Sequence, residues 1–361
     1  MKIDTTKLKR AWLISDIHFG VRSSSVEWIE IHKSYFNNFF IPLIKKNKKD
    51  GDCIIITGDV FESRQSLNIL ILNEAMAIMN EITKILPVII IVGNHDIFRR
   101  NTNDINSPMV FQWMNNIEIL SNPKILKFYG EKTALMLPWV EEKVNLLSII
   151  AENKADYLFL HSDITGIKYN KQILISQGLD PETVANFKRV YTGHIHYTQQ
   201  IRNVRVLGCP FQLTRSDRDN TKSIWLFDFE HNTEKQFVND YSPKFLKIKL
   251  ESLFNKTLPE INEKFNNNFV DIIINNKWGT KFPFGQLIDN LSGYRKINYI
   301  FAGLDEEAGI GTPIGKEIHL EELIVSYIDA IGYNEKIKDK LKSKSLELYH
   351  KALMLYNKVE I

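Results

Sequence analysis

Five short clusters bring carboxylate, amide and imidazole side chains together in an order that suits divalent cations. They are Asp16-Ile17-His18, Gly58-Asp59, Gly93-Asn94-His95-Asp96, His161-Ser162-Asp163 and Gly193-His194-Ile195-His196. Any one alone is weak evidence, because an Asp-x-His or Gly-Asp pair arises by chance and a single buried histidine is more often a satisfied core residue. Order and context carry the inference. Five of the nine histidines fall inside these clusters. Each cluster also follows an apolar or β-prone run, and loops at strand ends commonly carry binding groups.

Two divalent cations about 3.5–4 Å apart can hold a phosphate diester, activate a water and stabilise the leaving oxygen. Such a centre needs a bridging carboxylate and mixed nitrogen and oxygen donors. Asp59 is the natural bridge, since its two oxygens can each face one cation, and Asn94 offers a neutral carbonyl oxygen. The donor set suits manganese or iron and admits zinc or magnesium, and nothing resembles a thiolate zinc site. His95 need not be a ligand. As an imidazolium it could donate a proton to the leaving alkoxide, with Asp96 orienting it and raising its pKa.

The elements that must position these groups are legible as well. Trp12-Leu13-Ile14, Cys53–Ile56 and Pro87–Val92 read as buried strands, with a helix over 67–85 between the last two. Further strands are expected at 157–160, 189–192, 204–207 and 223–229. Continuous β-branched strands separated by helices imply an α/β fold whose sheets are covered on both faces. The pattern weakens at 230–243, which reads as a turn. A small α+β module follows over 241–302, as strand 244–249, helix 250–265, strand 269–275, helix 284–293 and strand 296–301. Glycines and a proline mark 303–317 as a linker. Two amphipathic helices then follow, over 319–331 and 335–359.

With 361 residues, 44% hydrophobic and 25% charged, the composition is that of a globular chain. A net charge of +3 is too mild to argue for a nucleic-acid partner. The two cysteines, Cys53 and Cys209, read as buried free thiols. The opening residues lack the apolar stretch of a secretory signal, and no run approaches a membrane span of roughly 18 residues. A cytoplasmic protein is the expectation.

Asp-x-His, Gly-Asp, Gly-Asn-His-Asp, a lone histidine and Gly-His-x-His, in this order over about residues 10–230, resemble the calcineurin-like metallophosphoesterase superfamily. The resemblance implies a metallophosphoesterase β-sandwich flanked by helices. It places Asp16, His18, Asp59 and His196 on one metal, and Asp59, Asn94, His161 and His194 on the other, with His95 as the catalytic acid. The whole chain is most similar to the nuclease subunit of SbcCD-type DNA repair complexes, especially that of tailed phages. Three features carry this: Gly58-Asp59-Val60-Phe61, the small module and the terminal helical pair. It implies a manganese-dependent exo- and endonuclease acting in recombination and double-strand-break repair. The module would be a DNA-contacting cap, and the 318–361 helices would dock an SMC-like coiled-coil ATPase. A homodimer is left open. Many cellular relatives carry histidine three residues after the bridging aspartate, where this chain has Glu62. A phosphatase or nucleotide phosphodiesterase is the alternative within the superfamily. A non-catalytic DNA-binding scaffold is a second, opposed by the intact ligand set.

Other motifs weigh less. Lys45-Lys46-Asn47-Lys48-Lys49 reads as a solvated helix end rather than a DNA clamp. Arg99-Arg100 and Arg215-Ser216-Asp217-Arg218 follow site motifs and are candidates for phosphate contacts. Gly309–Glu317 imitates a P-loop but has the wrong glycine spacing, and Glu317 stands where Ser or Thr would reach magnesium.

Overall fold

Runs that are apolar at every position need cover on both faces, and the fold supplies it with two stacked sheets between helical layers. The computed structural model describes residues 3–171, 173–275, 290–302, 325, 328–329 and 335–356. Residues 303–317, with the P-loop imitation, lie outside that set, as do most of the helices expected at 284–293 and 319–331. Two compact units form, Met1–Ile300 and Phe301–Ile361.

The first sheet has β1 (Arg10–Ile14), β2 (Asp52–Thr57), β3 (Val88–Ile91), β6 (Ile117–Leu120), β13 (Ser223–Asp228) and β14 (Thr233–Val238), in the order β14-β13-β1-β2-β3-β6. Strands β1, β2, β3 and β6 run parallel. The second sheet has β7 (Lys124–Phe128), β8 (Lys132–Leu137), β9 (Tyr157–His161), β10 (Arg189–Gly193), β11 (Gln199–Ile201) and β12 (Val204–Val206), ordered β11-β12-β10-β9-β8-β7. Its central strands β8, β9, β10 and β12 are parallel too. A two-stranded ribbon pairs β4 (Ile97–Arg99) with β5 (Thr102–Asn106).

Side-chain alternation divides each strand between two cores. Ala11, Leu13, Cys53 and Ile55 meet Ala134, Met136, Tyr157 and Phe159 between the sheets. The alternate residues Trp12, Ile14, Ile54 and Ile56 face Trp28, Ile31, Ile71 and Ile78 of the helices Val26–Tyr35 and Ile69–Thr83. On the far side, Leu135, Leu137, Leu158 and Leu160 pack on Leu146 and Ile150 of the helix Lys143–Glu152. Both cysteines are buried and free. Among the described residues no helix is long and apolar enough to cross a membrane.

The stretch at 230–243 is shorter as a turn than expected. Residues Thr233–Val238 form the edge strand β14, antiparallel to β13. Its side chains are mostly solvated, so the apolar signal of a strand is missing. The expected helix at 250–265 is broken into a 3-10 turn, Leu250–Leu253, and a helix, Leu258–Phe265. Thr257 and Glu260 form a reciprocal capping box that restarts the chain, and Pro259 fits only within the first turn. With β15 (Phe245–Lys249), β16 (Phe269–Asn275) and β17 (Lys296–Ala302) these make a small three-stranded sheet, ordered β15-β16-β17, with its own core of Ile248, Ile261, Phe265, Val270 and Ile272. In the second unit, the expected terminal helix is present as Glu335–Tyr356.

Asp52 fixes the register at the bottom of the first sheet. It is 2% exposed and accepts from Arg10 Nε (2.7 Å), Arg10 Nη2 (2.8 Å), Trp12 Nε1 (3.0 Å) and Lys49 N (3.1 Å). Removing it orphans a buried indole N–H and leaves the guanidinium unpaired. Asp52→Ala should therefore lower stability by about 3–5 kcal/mol, read from the midpoint of urea unfolding. A loss under about 1 kcal/mol would mean that water replaces the carboxylate freely.

Candidate metal centre

The clusters sit where parallel strands end. Asp16 and His18 follow β1, Asp59 follows β2, Asn94 and His95 follow β3, His161 closes β9, and His194 and His196 follow β10. The two sheets thus deliver their strand ends to one place. Asp16, His18, Asp59 and His194 hold φ of 53°, 52°, 52° and 80°, in the left-handed region that L side chains avoid. Such strain persists where surroundings over-determine it and is common at functional sites. Gly93 and Gly193 are needed for close approach. A Cβ at Gly93 would lie 2.3 Å from Asp59 Oδ1, and one at Gly193 would lie 2.1 Å from Ser15 Oγ and 2.8 Å from His161 Nδ1.

Two groups of donors result. In the first, Asp16 Oδ1 lies 4.0 Å from both His18 Nε2 and His196 Nε2, which are 3.1 Å apart. In the second, His161 Nε2 is 2.9 Å and His194 Nδ1 2.7 Å from Asn94 Oδ1. Asp59 Oδ2 joins them, 3.8 Å from His18 Nε2 and 3.2 Å from His161 Nε2. All the side chains expected as ligands therefore converge.

The outer ring atoms decide what the inner ones offer. His161 Nδ1 is 2.6 Å from the Thr57 carbonyl, His194 Nε2 is 3.3 Å from Asp163 Oδ1, and His18 Nδ1 is 2.6 Å from Glu62 Oε2. The last is a close ion contact rather than an aligned hydrogen bond. Each outer nitrogen faces an acceptor, which suits a proton there and, once a ring is neutral, an inner lone pair aimed at the centre. Lone pairs of histidine, asparagine and aspartate facing one another at 2.7–4.0 Å repel unless positive charge lies among them. The site fits cations.

Protons supply that charge in the metal-free chain. Burial lowers His18, but Glu62, Asp59 and Asp16 outweigh it and raise the ring to about 9. Burial likewise opposes His161, and Asp59 with Asp16 raises it to about 9. Asp59, despite a burial penalty, is held well below the usual carboxylate range by His161, His18 and His95. His196 is lowered to about 4 by burial and the charge of His18. It presents a neutral ring.

The structure corrects the expected part of Asp96. This buried carboxylate does not orient the His95 ring. Its Oδ1 accepts from Val60 N (3.0 Å) and Phe61 N (3.1 Å), and its Oδ2 from Gly93 N (2.9 Å). Its place beneath the loop, three residues after a glycine, makes it a brace joining the β2 and β3 ends. Burial and the nearby Asp59 charge push it up to about 7. His95 is held instead by the Glu62 carbonyl, 2.9 Å from its Nδ1, and its backbone N–H donates to Asp59 Oδ1 at 2.8 Å. Its Nε2 is left for the cleft, a volume of about 200 Å³ also lined by Tyr169, Thr214, Ser216 and Asp217.

Arg218 and the Nε of Arg215 are committed to a carboxylate of the small module, while the Arg215 side chain stays about half exposed. Arg215 Nε (2.8 Å) and Arg218 Nη2 (2.5 Å) both reach Asp271 Oδ2 on β16, buried at 3% exposure. They tie the catalytic sheets to the small module. Lys45, Lys46, Lys48 and Lys49 are exposed at a helix end, as expected. Sequence reasoning passed over the His194 partner Asp163, Trp139, whose ring packs 5.0 Å from that of His194, and the buried Asp217–Lys222 pair. The signal for Asp163 was present, since it closes one of the clusters; Lys222 gave none.

Residues 9–275 match the family described as calcineurin-like phosphoesterase. The chain is 29% identical over 226 residues to exonuclease subunit 1 of Enterobacteria phage T4, covering 60% of this chain and 64% of that protein. It is 26% identical over 197 residues to putative phosphoesterase 244L of Invertebrate iridescent virus 6, covering 52% of this chain and 64% of that protein. The chain therefore spans less than two thirds of the length of either relative. A solved archaeal phosphodiesterase aligns over 63% of this chain and 99% of its own, at 12% identity and a TM-score of 0.33, too low to add to the sequence match. With the family match running through every strand that feeds the site, the chain belongs to the calcineurin-like phosphoesterase family.

Proposed function

We propose that the chain is a two-cation-dependent DNA nuclease that hydrolyses phosphodiester bonds. The observation that carries this is Asp59, whose Oδ2 faces the histidines of both donor groups. Asp16, His18, Asp59 and His196 would hold one cation and Asp59, Asn94, His161 and His194 the other, with manganese favoured by the mixed donor set. When bound, the pair would polarise the phosphate and lower the pKa of a water. His95 would donate a proton from Nε2 to the leaving oxygen while the Glu62 carbonyl holds its Nδ1–H. Glu62 itself would brace His18 by its carboxylate.

The name of the phage relative, an exonuclease subunit, supports a nucleic acid as substrate, and the small sheet tied through Asp271 to the edge of the cleft supports a cap that contacts it. We assign residues 241–302 to that cap and the 318–361 segment to docking an SMC-like ATPase. Leu341 and Leu348 of the helix Glu335–Tyr356 are exposed and would give that partner an apolar stripe.

Asp59→Asn should abolish manganese-dependent DNA cleavage while the thermal melt of the metal-free protein stays cooperative. Near-normal cleavage by that variant would remove the two-cation assignment. His95→Ala should slow cleavage by roughly 10²–10⁴ with both metals retained by elemental analysis; a lost metal would make His95 a ligand. Binding must also displace the protons that His18 and His161 hold up to about pH 9. Below that value manganese affinity should fall by up to about tenfold per pH unit for each proton displaced. Calorimetry at pH 7.5 in two buffers of different ionisation enthalpy should give different apparent heats. Identical heats would show that no proton leaves.

A further inference from the structure

Behind His196 lies a buried ion pair that the chemistry above does not use. Lys222, just before β13, is 4% exposed, and Asp217 is 3% exposed. The Lys222 ammonium donates to Asp217 Oδ1 at 2.8 Å and to the His196 carbonyl at 2.6 Å. The other carboxylate oxygen of Asp217 accepts from Leu213 N (3.1 Å) and Thr214 N (2.8 Å). One ammonium and one carboxylate thus join three separate stretches of chain. One carries a proposed ligand, and another, Thr214–Asp217, lines the cleft.

Desolvating two charges is costly, and apolar residues of similar volume often hold a fold as well or better. Stability alone therefore gives no reason for this pair. Its position does. His196 is the most exposed of the first group of donors, at 30% of its side chain, against 3% for His18 and 0% for Asp16. The rim turn on the other side of the pair is anchored at Arg215 and Arg218 to Asp271 of the small sheet.

We infer that Lys222 and Asp217 are positioning residues, which lock the His196 backbone to the Thr214–Asp217 turn and so aim the imidazole at the first cation. The inference rests on the two-cation reading. Without the pair the His196 segment would keep its fold and lose its aim, as happens when a metal ligand loses an outer partner.

The test uses the full chain, with manganese binding followed by electron paramagnetic resonance and folding by thermal melting. The double variant Lys222→Met, Asp217→Leu removes both charges, and Lys222→Gln, Asp217→Asn keeps the volume as a neutral polar pair. Wild type should take up two ions; if it does not, the two-cation reading fails on its own, before any variant is compared. In either folded variant one manganese site should weaken by about 10–100-fold, the scale for a lost outer partner, with the other within about twofold. Lys222→Arg, which keeps a charged donor, should recover part of the loss. A variant that melts like wild type and binds both ions unchanged would overturn the inference, as would equal weakening of both sites.

Discussion

The repulsion among inward-facing lone pairs is the constraint around which the rest of the chain is arranged. Asp59 Oδ2, Asn94 Oδ1 and the inner nitrogens of His18, His161, His194 and His196 lie within 4 Å of their neighbours, in surroundings largely sealed from water. Such a cluster holds together only with positive charge inside it. In the metal-free protein, protons on His18 and His161 serve. Folding therefore prepares a site in which protons hold the place that cations would take.

Holding that arrangement has a backbone cost. Each non-glycine residue in the left-handed region costs of order 1–3 kcal/mol, and Asp16, His18, Asp59 and His194 all adopt it. The offset comes from the layers on either side. The paired sheets bury Ala11, Leu13, Ile55, Met136 and Phe159 between them, which fixes the strand ends relative to one another. Buried braces then hold the loops. Asp96 gathers three backbone N–H groups from the β2 and β3 ends, and the buried His32 ring stands 2.8 Å from the Ile17 carbonyl, between Asp16 and His18 in the chain. The groups nearest the chemistry are thus rigid because polar groups behind them are satisfied.

Glu62 shows how one position can serve two tasks. Its carboxylate stands against His18 and its carbonyl against His95, so a single residue orients a proposed ligand and the proposed acid. A histidine there would lack the anionic partner for His18. Glu62 therefore braces the centre as well as lining the cleft.

Much of this was legible in the sequence. Ligand types and their order follow from short motifs after apolar runs, because metal chemistry restricts the donors and strand ends restrict their place. The buried strands were equally plain, since a strand covered on both faces must be apolar throughout. Where partners are distant in sequence or act through the backbone, the sequence was mute or misleading. Asp96, beside His95 in the chain, bonds N–H groups of Val60 and Phe61 instead of the ring, and the carbonyl that holds His95 belongs to Glu62. Arg215 and Arg218, close to site motifs, are taken by Asp271 over fifty residues away. Lys222 looks like any solvated lysine until β13 carries it under His196. The chemistry of a side chain is set locally, so residue types could be read directly. Which partner satisfies it is decided by the long-range register of two sheets, which only the folded chain defines.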